Sequence, residues 1–472
     1  MAQEYDLVIL GGGTGGYVAA IRAAQLGLKT AIVEKHKLGG TCLHNGCIPS
    51  KALLRSAEVF VQTKKASEFG VKVADVKLDF AAVQGRKETL VEQLHKGVQG
   101  LMKKGEIDVF NGIGRILGPS IFSPMPGTIS VEMADGSENE MLIPTNVIIA
   151  TGSSPRTIDG IHVDGQTVLT SDHALQLETL PSSILIIGGG VIGIEWASML
   201  ADFGVDVTVL EIGQRILPTE DAEISDEMNK LLVKRGIQIV TDVKLGSLVR
   251  TDVGLQLDTQ VNGEAQQFIA EKMLVSVGRT ANVNGIGLEN TEIVVENGSI
   301  QVNERFQTKE SHIYAIGDVI GGMQLAHVAS TEGLQAVEHI AGNPVTPIIY
   351  ENIARCIYSS PEVASVGLTE QQALDRGITV KMGKFPFKGI GKALVYGNSE
   401  GFVKIIADQE TNDVLGVHMI GPQVTNMISE AALSILLNAT PWEIGATIHP
   451  HPSLSEVIGE AALAVDGRAI HF

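Results

Sequence analysis

Residues 6–35 read DLVILGGGTGGYVAAIRAAQLGLKTAIVEK, and this stretch predicts the architecture of the chain. An apolar strand leads into Gly11, Gly13 and Gly16, which have the spacing G-x-G-x-x-G. An alanine-rich helix follows, and then a second strand that ends at Glu34. The first glycine permits a tight turn, the second lets a pyrophosphate approach the backbone, and the third lets the helix pack against the strand. The phosphates rest at the helix N-terminus, and the acid binds ribose hydroxyls. The stretch therefore predicts a Rossmann-like domain that binds a dinucleotide.

A second copy of this pattern occupies residues 182–211, SSILIIGGGVIGIEWASMLADFGVDVTVLE. Its glycines are Gly188, Gly190 and Gly193. Its acid, Glu211, follows the first glycine by 23 residues, the same interval as in the first copy. Two copies in the full strand–turn–helix–strand context predict an α/β protein that binds two dinucleotides.

Apolar strands that end in turns indicate the borders of these domains. They are NVIIATGSSPR (146–156), MLVSVGRTAN (273–282) and IYAIGDV (313–319). From about residue 350, strands such as FVKIIAD and VLGVHMIG alternate with helical patterns. We predict that residues 1–150 and 281–350 form the first dinucleotide-binding domain, residues 151–280 the second, and residues 351–472 an α+β C-terminal domain.

Composition and charge narrow the range of functions. The chain has 472 residues, which is too long for one core. Its net charge of −19 argues against nucleic acid and anionic membranes as partners, because both would repel it. The N-terminus lacks the features of a signal peptide. The apolar residues 182–200 contain a glycine cluster and Glu195, which favours strand–turn–helix over a membrane span. We expect a soluble, cytoplasmic protein without membrane insertion.

Two of the three cysteines lie in GGTCLHNGCIPSK, residues 39–51. Three roles compete for Cys42 and Cys47. Inert core residues would occupy an apolar periodic run, whereas Gly, Asn, His and Pro surround these two. Metal ligands would need further Cys or His at short spacing, and only His44 is close, so no metal is predicted. A redox pair needs a nearby electron acceptor, and this pair closely follows the acid of the first dinucleotide site. The third cysteine, Cys356, has apolar neighbours and is predicted to be a core residue.

The redox interpretation identifies the two cofactors. A dithiol gives up two electrons through thiolate attack, whereas a nicotinamide accepts a hydride. A flavin can take electrons from a thiolate and pass a hydride onward. We therefore predict FAD at the first fingerprint, NAD at the second, and a catalytic disulfide between Cys42 and Cys47.

Several further segments resemble a known family in the same order along essentially the whole chain. Together with the two fingerprints and the cysteine segment, they are ATGSSPR, SVGRTAN, YAIGDV, LAHVASTEG and HPHPSLSE. They resemble the pyridine nucleotide–disulfide oxidoreductases, and within that family the members that oxidise dihydrolipoamide. The resemblance implies two Rossmann-like domains and a C-terminal α+β dimerisation domain.

The resemblance also implies roles for individual residues. Cys42 would be the interchange thiol that faces the substrate, and Cys47 the charge-transfer thiolate against the flavin. Lys51 would lie near the flavin ring, paired with Glu195, although an ordinary exposed helix lysine is the alternative. Asp318 would contact FAD, or would simply be a turn residue at a strand end. The other residues expected to bind a cofactor are Gly114, Thr151, Gly152, Ser153, Gly278, Gln324, Ala326 and His327.

A base is needed to make the attacking thiolate, and the pKa of His suits that task. The second His of the family motif maps to His451, with His449 secondary, and Glu456 would orient the imidazole. Ser453 and Glu456 also fit an S-x-x-E capping box, so both interpretations stay open. Pro450 departs from the small residue expected between the two histidines.

The activity implied by the resemblance is oxidation of protein-bound dihydrolipoamide to lipoamide, with FAD passing the electrons to NAD⁺. The lipoyl group would belong to the acyltransferase of a 2-oxo acid dehydrogenase complex or to a glycine cleavage carrier. The family also implies a two-fold homodimer in which the C-terminal domain completes the partner's active site. The alternatives are a glutathione- or mercuric-reductase-like enzyme and a non-enzymatic flavin-bound redox sensor. A mercuric reductase would add a C-terminal cysteine pair, but no cysteine follows Cys356.

Overall fold

The computed structural model describes residues 3–119, 125–252 and 254–471. The chain divides into two units. Unit 1 contains the described residues of Met1–Ala52, Ala81–Arg156 and Arg279–Ile348, and unit 2 those of Leu53–Phe80, Thr157–Gly278 and Ile349–Phe472.

The strands are numbered in chain order. They are β1 (Gln3–Leu10), β2 (Thr30–Glu34), β3 (Asp108–Ile116), β4 (Ile129–Met133), β5 (Glu140–Ile149), β6 (Ser153–Pro155), β7 (Val168–Leu169), β8 (Ser183–Ile187), β9 (Asp206–Leu210), β10 (Gln238–Val240), β11 (Val243–Thr251), β12 (Gly254–Val261), β13 (Glu264–Ala270), β14 (Lys272–Val275), β15 (Arg279–Ala281), β16 (Val295–Glu296), β17 (Ser299–Ile300), β18 (Ile313–Ala315), β19 (Arg355–Ile357), β20 (Glu362–Gly367), β21 (Val380–Pro386), β22 (Phe402–Asp408) and β23 (Val414–Gly421).

The α-helices are numbered in the same way. They are α1 (Thr14–Gln25), α2 (Gly40–His44), α3 (Cys47–Lys64), α4 (Phe80–Lys104), α5 (Ser171–Ala174), α6 (Val191–Asp202), α7 (Ala222–Lys234), α8 (Ala326–Ile340), α9 (Glu370–Asp375), α10 (Gly391–Val395), α11 (Val424–Leu436), α12 (Pro441–Ala446) and α13 (Glu456–Val465). Short 3-10 helices span Ala66–Phe69, Leu288–Asn290, Gly317–Ile320, Tyr350–Asn352 and Phe387–Gly389.

Unit 1 is built on a mainly parallel sheet with β1 at its centre. β1 pairs in parallel with β2 and β5, β2 pairs with β3, and β5 pairs with β18. β4 joins β3 and β5 in antiparallel pairing. The side chains of Leu7, Val8 and Ile9 are completely buried, which explains why this central strand is a continuous apolar run rather than an alternating one. The turn after β1 carries the first glycine fingerprint and leads directly into α1.

Unit 2 contains the second copy of this arrangement. β8 pairs in parallel with β9 and β14, β9 with β10, and β14 with β7. The turn after β8 carries the second fingerprint and leads into α6. A three-stranded antiparallel sheet, β11–β13, follows in the chain. The predicted pair of Rossmann-like domains is therefore confirmed by the strand order around each glycine turn.

The C-terminal part of unit 2 is an antiparallel sheet with the strand order β19-β20-β23-β22-β21. Helix α13 packs on β21 and β22, and α11 packs on β20 and β23. The predicted strands FVKIIAD and VLGVHMIG are β22 and β23, so the α+β prediction is confirmed. Residues 182–200 form strand, turn and helix, as predicted. Among the described residues, no helix is long and apolar enough to cross a membrane.

Candidate active site

The first glycine turn is shaped to receive a dinucleotide. Gly11 has a φ of +106°, which favours glycine, and a Cβ on Gly16 would lie 1.9 Å from the Gly11 carbonyl oxygen. The buried Glu34 accepts hydrogen bonds from the N–H groups of Gly12 (2.6 Å) and His36 (2.7 Å). Each carboxylate oxygen thus keeps accepting capacity for a ribose hydroxyl. Within the described residues, no side chain caps the N-terminus of α1 at Gly13, so the phosphates can approach its backbone N–H groups.

The second glycine turn repeats this geometry. Gly188 also has a φ of +106°, and a Cβ on Gly193 would lie 2.0 Å from the Gly188 carbonyl oxygen. Glu211 accepts hydrogen bonds from the N–H groups of Gly189 (2.6 Å) and Gly213 (2.7 Å). Gly190 is the N-cap of α6. Both turns therefore fit the cofactors predicted for them.

The cysteine segment packs directly on the first glycine turn. The N–H of Gly39 donates to the Gly12 carbonyl oxygen at 2.7 Å, and a Cβ on Gly40 would lie 2.6 Å from the Gly13 Cα. Only glycines allow this approach. The structure thus brings Cys42, in α2, close to the predicted flavin site.

Cys42 and Cys47 form a close pair, and their side chains are hydrogen-bonded to each other. This hydrogen bond raises the pKa of the Cys42 thiol, burial raises it further, and the charge of Lys51 lowers it. Cys47 is the first residue of α3, which has 18 residues. A helix N-terminus stabilises a thiolate. This position favours the charge-transfer role predicted for Cys47, and that role stays a prediction.

Two histidines that the sequence did not single out as a pair support this segment. The rings of His44 and His95 each bond to the Leu38 carbonyl oxygen, at 2.9 and 3.0 Å. Their centroids are 5.1 Å apart in an edge-to-face arrangement. His44 is thus part of the packing around the cysteine loop.

The segments ATGSSPR and YAIGDV meet residues 279–282 of the segment SVGRTAN in unit 1. Ser153 Oγ donates to Asp318, and Arg279 donates to Ser153 Oγ and to the Ser153 carbonyl oxygen, both at 2.7 Å. Thr151 Oγ1 donates to the Asn282 carbonyl oxygen at 2.8 Å. Asp318 lies in the 3-10 turn after β18, which agrees with the turn interpretation, and its contact with FAD stays a prediction. The prediction missed Arg279 and Asn282, although both stand in a quoted segment.

The remaining predicted cofactor residues are dispersed over several elements. A Cβ on Gly114, in β3, would lie 2.6 Å from Leu10 Cδ2, so a larger residue there would displace the Leu10 side chain. Gly152 and Gly278 have φ values of +70° and +106°. Gln324, Ala326 and His327 lie at the start of α8.

Lys51 and Glu195 lie in different units. Lys51 is in α3, one turn after Cys47. Glu195 is buried in α6 and accepts a hydrogen bond from the Tyr358 N–H at 2.9 Å. The predicted pairing of Lys51 with Glu195 stays a prediction.

The C-terminal motif forms a histidine–carboxylate dyad. His451 Nδ1 is 2.8 Å from Glu456 Oε1, and the His451 side chain is 77% exposed. With Nδ1 donating to the carboxylate, Nε2 is the basic nitrogen of the neutral imidazole. Burial raises the pKa of Glu456, but the hydrogen bonds from the Ser453 N–H and His451 outweigh it and leave the pKa lowered. The dyad is formed despite Pro450.

The capping-box prediction was only half right. Glu456 Oε2 accepts the hydrogen bond from the Ser453 N–H at 2.9 Å. However, Ser453 Oγ is buried with no partner among the described residues, and Ser455 is the N-cap of α13. The helix begins later than the pattern indicated, so the hydroxyl cannot reach the backbone N–H that a capping box needs.

A second histidine–carboxylate pair lies beside the dyad. His449, 8% exposed, has Nε2 at 2.7 Å from Glu430 Oε1. The hydrogen bond with Glu430 raises the pKa of His449 against the effect of burial. His449, His451 and Glu456 line a cavity of about 290 Å³. Its other lining residues are Gly389, Ile390, Gly391, Gly445, Thr447, Gly459, Glu460, Leu463 and His471.

Comparison with family models agrees with the geometry of the glycine turns and cysteine pair and with that of the C-terminal histidine–carboxylate pairs. Residues 5–333 match the model of the pyridine nucleotide-disulphide oxidoreductases, and residues 353–462 match the dimerisation domain of the same family. The chain belongs to this family.

Known relatives cover the full length of the chain. It is 68% identical to the dihydrolipoyl dehydrogenase of Bacillus subtilis strain 168, over 100% of both chains. It is 41% identical to the mitochondrial dihydrolipoyl dehydrogenase of Pisum sativum, over 100% of this chain and 93% of the relative. The crystal structure of LpdA from Mycobacterium tuberculosis is similar with a TM-score of 0.89 and 27% identity, covering 98% of this chain and 99% of that one.

Membership in the family confirms three predictions. The fold class is α/β with a dimerisation domain, the cofactors are FAD and NAD, and the chain is a flavoprotein disulfide oxidoreductase. The close Cys42–Cys47 pair is consistent with a redox disulfide. The dimerisation-domain match supports a homodimer.

The raised pKa of His449 predicts a pH-dependent contribution to stability. This contribution is complete below the pKa of an unfolded histidine, about 6.5, and is lost as the pH rises through the higher pKa of folded His449. Glu430→Gln should therefore lower the free energy of unfolding by about 1–2 kcal/mol at acidic pH and by clearly less at alkaline pH. Denaturant unfolding at several pH values measures the difference.

Glu410→Gln, an exposed change between β22 and β23, serves as the control and should alter stability equally little at every pH. An effect of Glu430→Gln that does not depend on pH would contradict the assignment of His449 as the titrating partner.

Proposed function

We propose that the chain oxidises protein-bound dihydrolipoamide to lipoamide with NAD⁺ as the final acceptor, and that Cys42 and Cys47 are its redox centre. The observation that carries this proposal is the hydrogen-bonded cysteine pair at the N-terminus of α3, on the first glycine turn. The dihydrolipoyl dehydrogenases among the relatives, one of them 68% identical, favour this substrate over those of other disulfide reductases. Residues 1–150 and 281–350 are assigned to FAD, 151–280 to NAD and 351–472 to dimerisation.

The exchange of thiols is the work of the chain's own residues. His451 takes a proton from the substrate dithiol, and the resulting thiolate attacks the Cys42 sulfur. The Cys42–Cys47 bond breaks, and Cys47 leaves as a thiolate. The second substrate thiol then attacks the substrate sulfur of the mixed disulfide, and lipoamide closes and leaves. Cys42 departs as a thiolate and takes the proton of that second thiol. Glu456, ionised because of its lowered pKa, stabilises the imidazolium that forms on His451.

FAD, when bound at the first glycine turn, accepts the two electrons of the thiol pair and supplies a hydride to NAD⁺. Glu34 would hold its ribose, and the N-terminus of α1 its pyrophosphate. Thr151, Gly152, Ser153, Asp318, Gln324, Ala326 and His327 would contribute further contacts. Gly188, Gly190, Gly193, Glu211 and Gly278 would hold NAD.

The physiological partner is proposed to be the lipoylated acyltransferase of a 2-oxo acid dehydrogenase complex or a glycine cleavage carrier. A cytoplasmic location is part of this proposal, since a pair that cycles between dithiol and disulfide suits a reducing compartment.

The two cysteines are predicted to differ in a variant test. Either Cys42→Ser or Cys47→Ser should lower dihydrolipoamide-dependent NAD⁺ reduction by about three orders of magnitude or more. Cys42→Ser should show a long-wavelength absorption band without any reductant, because Cys47 then carries the thiolate, and Cys47→Ser should lack the band. Cys356→Ser, which changes a residue packed against the C-terminal core, is the matched control and should behave like the wild type.

The reverse spectral pattern would exchange the roles of Cys42 and Cys47. Full activity of both variants would refute the proposed centre, as would efficient turnover of glutathione disulfide with NADPH in place of dihydrolipoamide with NAD⁺.

Coenzyme selection is predicted from the second glycine turn. The carboxylate of Glu211 occupies the region of a 2′-phosphate, and the guanidinium of Arg215 is bound to the carbonyl oxygens of Pro218 and Glu220. The value of kcat/KM should therefore be roughly ten- to hundredfold higher with NAD⁺ than with NADP⁺. Glu211→Ala should narrow this ratio. Comparable kcat/KM values for the two coenzymes in the wild type would be incompatible with this assignment.

We further propose that His451 serves the cysteine pair of the partner subunit, as the family resemblance implies for a two-fold dimer. Co-expression of a Cys42→Ser chain with a His451→Gln chain tests this. Random pairing makes half of the dimers mixed, and each mixed dimer would hold one intact site, so activity should recover to roughly a quarter of the wild type. Activity no higher than that of either variant alone would show that each chain uses its own histidine.

A further inference from the structure

The segment after Glu211 forms a wall of the second glycine turn; we call residues 211–221 the coenzyme loop. The N–H of Leu217 donates to the Gly189 carbonyl oxygen at 2.8 Å. The buried Ile216 is so close that a Cβ on Gly189 would lie 2.8 Å from its Cγ2. The position of this loop therefore determines the shape of the turn.

The coenzyme loop does not hold its conformation by local preference alone. Leu217 has a φ of +46°, a region that non-glycine residues occupy only where their surroundings keep them there. Arg215 supports the loop from within by donating to the carbonyl oxygens of Pro218 (2.9 Å) and Glu220 (3.0 Å). A conformation of this kind needs an external attachment as well.

The attachment lies at the end of the loop, on the C-terminal antiparallel sheet. Glu220 and Asp221 are each 2% exposed. Glu220 Oε2 accepts a hydrogen bond from Ser365 Oγ of β20 at 2.5 Å, and its other oxygen lies 3.5 Å from Arg355 Nε. Asp221 Oδ1 lies 3.1 Å from Lys404 Nζ of β22.

Lys404 is the centre of this buried cluster. It is 1% exposed and contacts Glu223 Oε1 at 2.9 Å and Glu370 Oε2 at 2.7 Å in addition to Asp221. Burial lowers the pKa of Lys404, but the three carboxylates outweigh it and raise the pKa, so the side chain is charged. The completely buried His418 also faces Asp221. Removing one partner of such a buried group leaves the others uncompensated.

We infer that Lys404, far from the glycine turn in sequence, is a positioning residue for NAD binding, because it fixes the end of the coenzyme loop. The inference rests on the proposed assignment of the second glycine turn to NAD. It predicts that loosening the cluster weakens coenzyme binding and leaves the thiol chemistry intact.

Lys404→Met tests the inference in the full-length flavoprotein. If the loop is ordered in only a tenth of the molecules, the Kd for NADH rises about tenfold. We expect this rise by calorimetry, with faster amide hydrogen exchange in residues 211–221. In steady-state kinetics the KM for NAD⁺ should rise, while kcat at saturating NAD⁺ and the KM for dihydrolipoamide stay within about twofold.

Lys384→Met is the matched control. Lys384 binds the other carboxylate oxygen of Glu223, and about half of the Lys384 side chain is exposed. It should leave the Kd for NADH unchanged. Ser365→Ala removes only the hydroxyl bound to Glu220 and gives a milder loosening if Lys404→Met does not fold. It should then raise the Kd for NADH by about two- to threefold, because the same loop loses part of its order.

An unchanged Kd for NADH in folded Lys404→Met, or in Ser365→Ala if that variant must decide, overturns the inference. A parallel loss of kcat, dihydrolipoamide affinity and NADH affinity overturns it too, because that pattern belongs to a general structural role. Glu211→Ala separates the two levels of failure. If Glu211→Ala weakens NADH binding and Lys404→Met does not, the inference alone fails; if neither does, the assignment of the turn to NAD fails as well.

Discussion

A hydrogen bond to a buried carboxylate organises both dinucleotide sites. Its donor is the glycine directly after the first fingerprint glycine of each turn. Gly12 donates to Glu34 and Gly189 donates to Glu211, each at 2.6 Å. The bond ties the end of the second strand to the turn after the first strand and aims the carboxylate at the site of a ribose. The carbonyl oxygen of the same glycine also accepts a hydrogen bond. The donor is the N–H of Gly39 in the first copy and the N–H of Leu217 in the second. The two copies differ in the segment that this carbonyl oxygen binds.

That difference separates the two chemistries. In the first copy the carbonyl oxygen binds the cysteine segment, so the cysteine pair is attached to the turn that we propose for the flavin. In the second copy it holds the coenzyme loop, whose far end is fixed by the buried cluster around Lys404. Under the proposed assignment, the first turn thus has the cysteine pair beside its flavin for electron transfer. The second turn has the coenzyme loop as a wall for NAD, which must bind and leave.

The cysteine pair gains its asymmetry from its place in the fold. Cys47 begins an 18-residue helix, whereas Cys42 lies in the short α2. The helix end favours negative charge on Cys47, and the hydrogen bond with Cys47 raises the pKa of the Cys42 thiol. The proposed reaction requires this asymmetry: an exchange thiol that can be protonated, and a second thiol that can carry the negative charge.

Local sequence patterns predicted the parts of the fold and site that local geometry controls. The glycine spacing, the acid after the second strand and the cysteine segment follow from turns and helix ends, and the two members of the His451–Glu456 dyad are only five positions apart. The contacts of Lys404 with Asp221 and of Arg279 with Ser153 join residues more than a hundred positions apart, so no periodicity reveals them. The sequence did not predict that the Ser453 hydroxyl lacks a partner among the described residues. A capping pattern shows which residue types are present, but it does not show at which residue the helix begins.

Thiol counting in the denatured protein tests the redox role of Cys42 and Cys47 most directly. The chain has three cysteines, so the oxidised protein should give one reactive thiol, from Cys356. After anaerobic reduction by one equivalent of dihydrolipoamide and removal of the lipoamide, it should give three. The Cys356→Ser protein should give none before reduction and two after it. Three thiols both before and after reduction would contradict the account, because the pair would then never form the disulfide on which the proposed reaction depends.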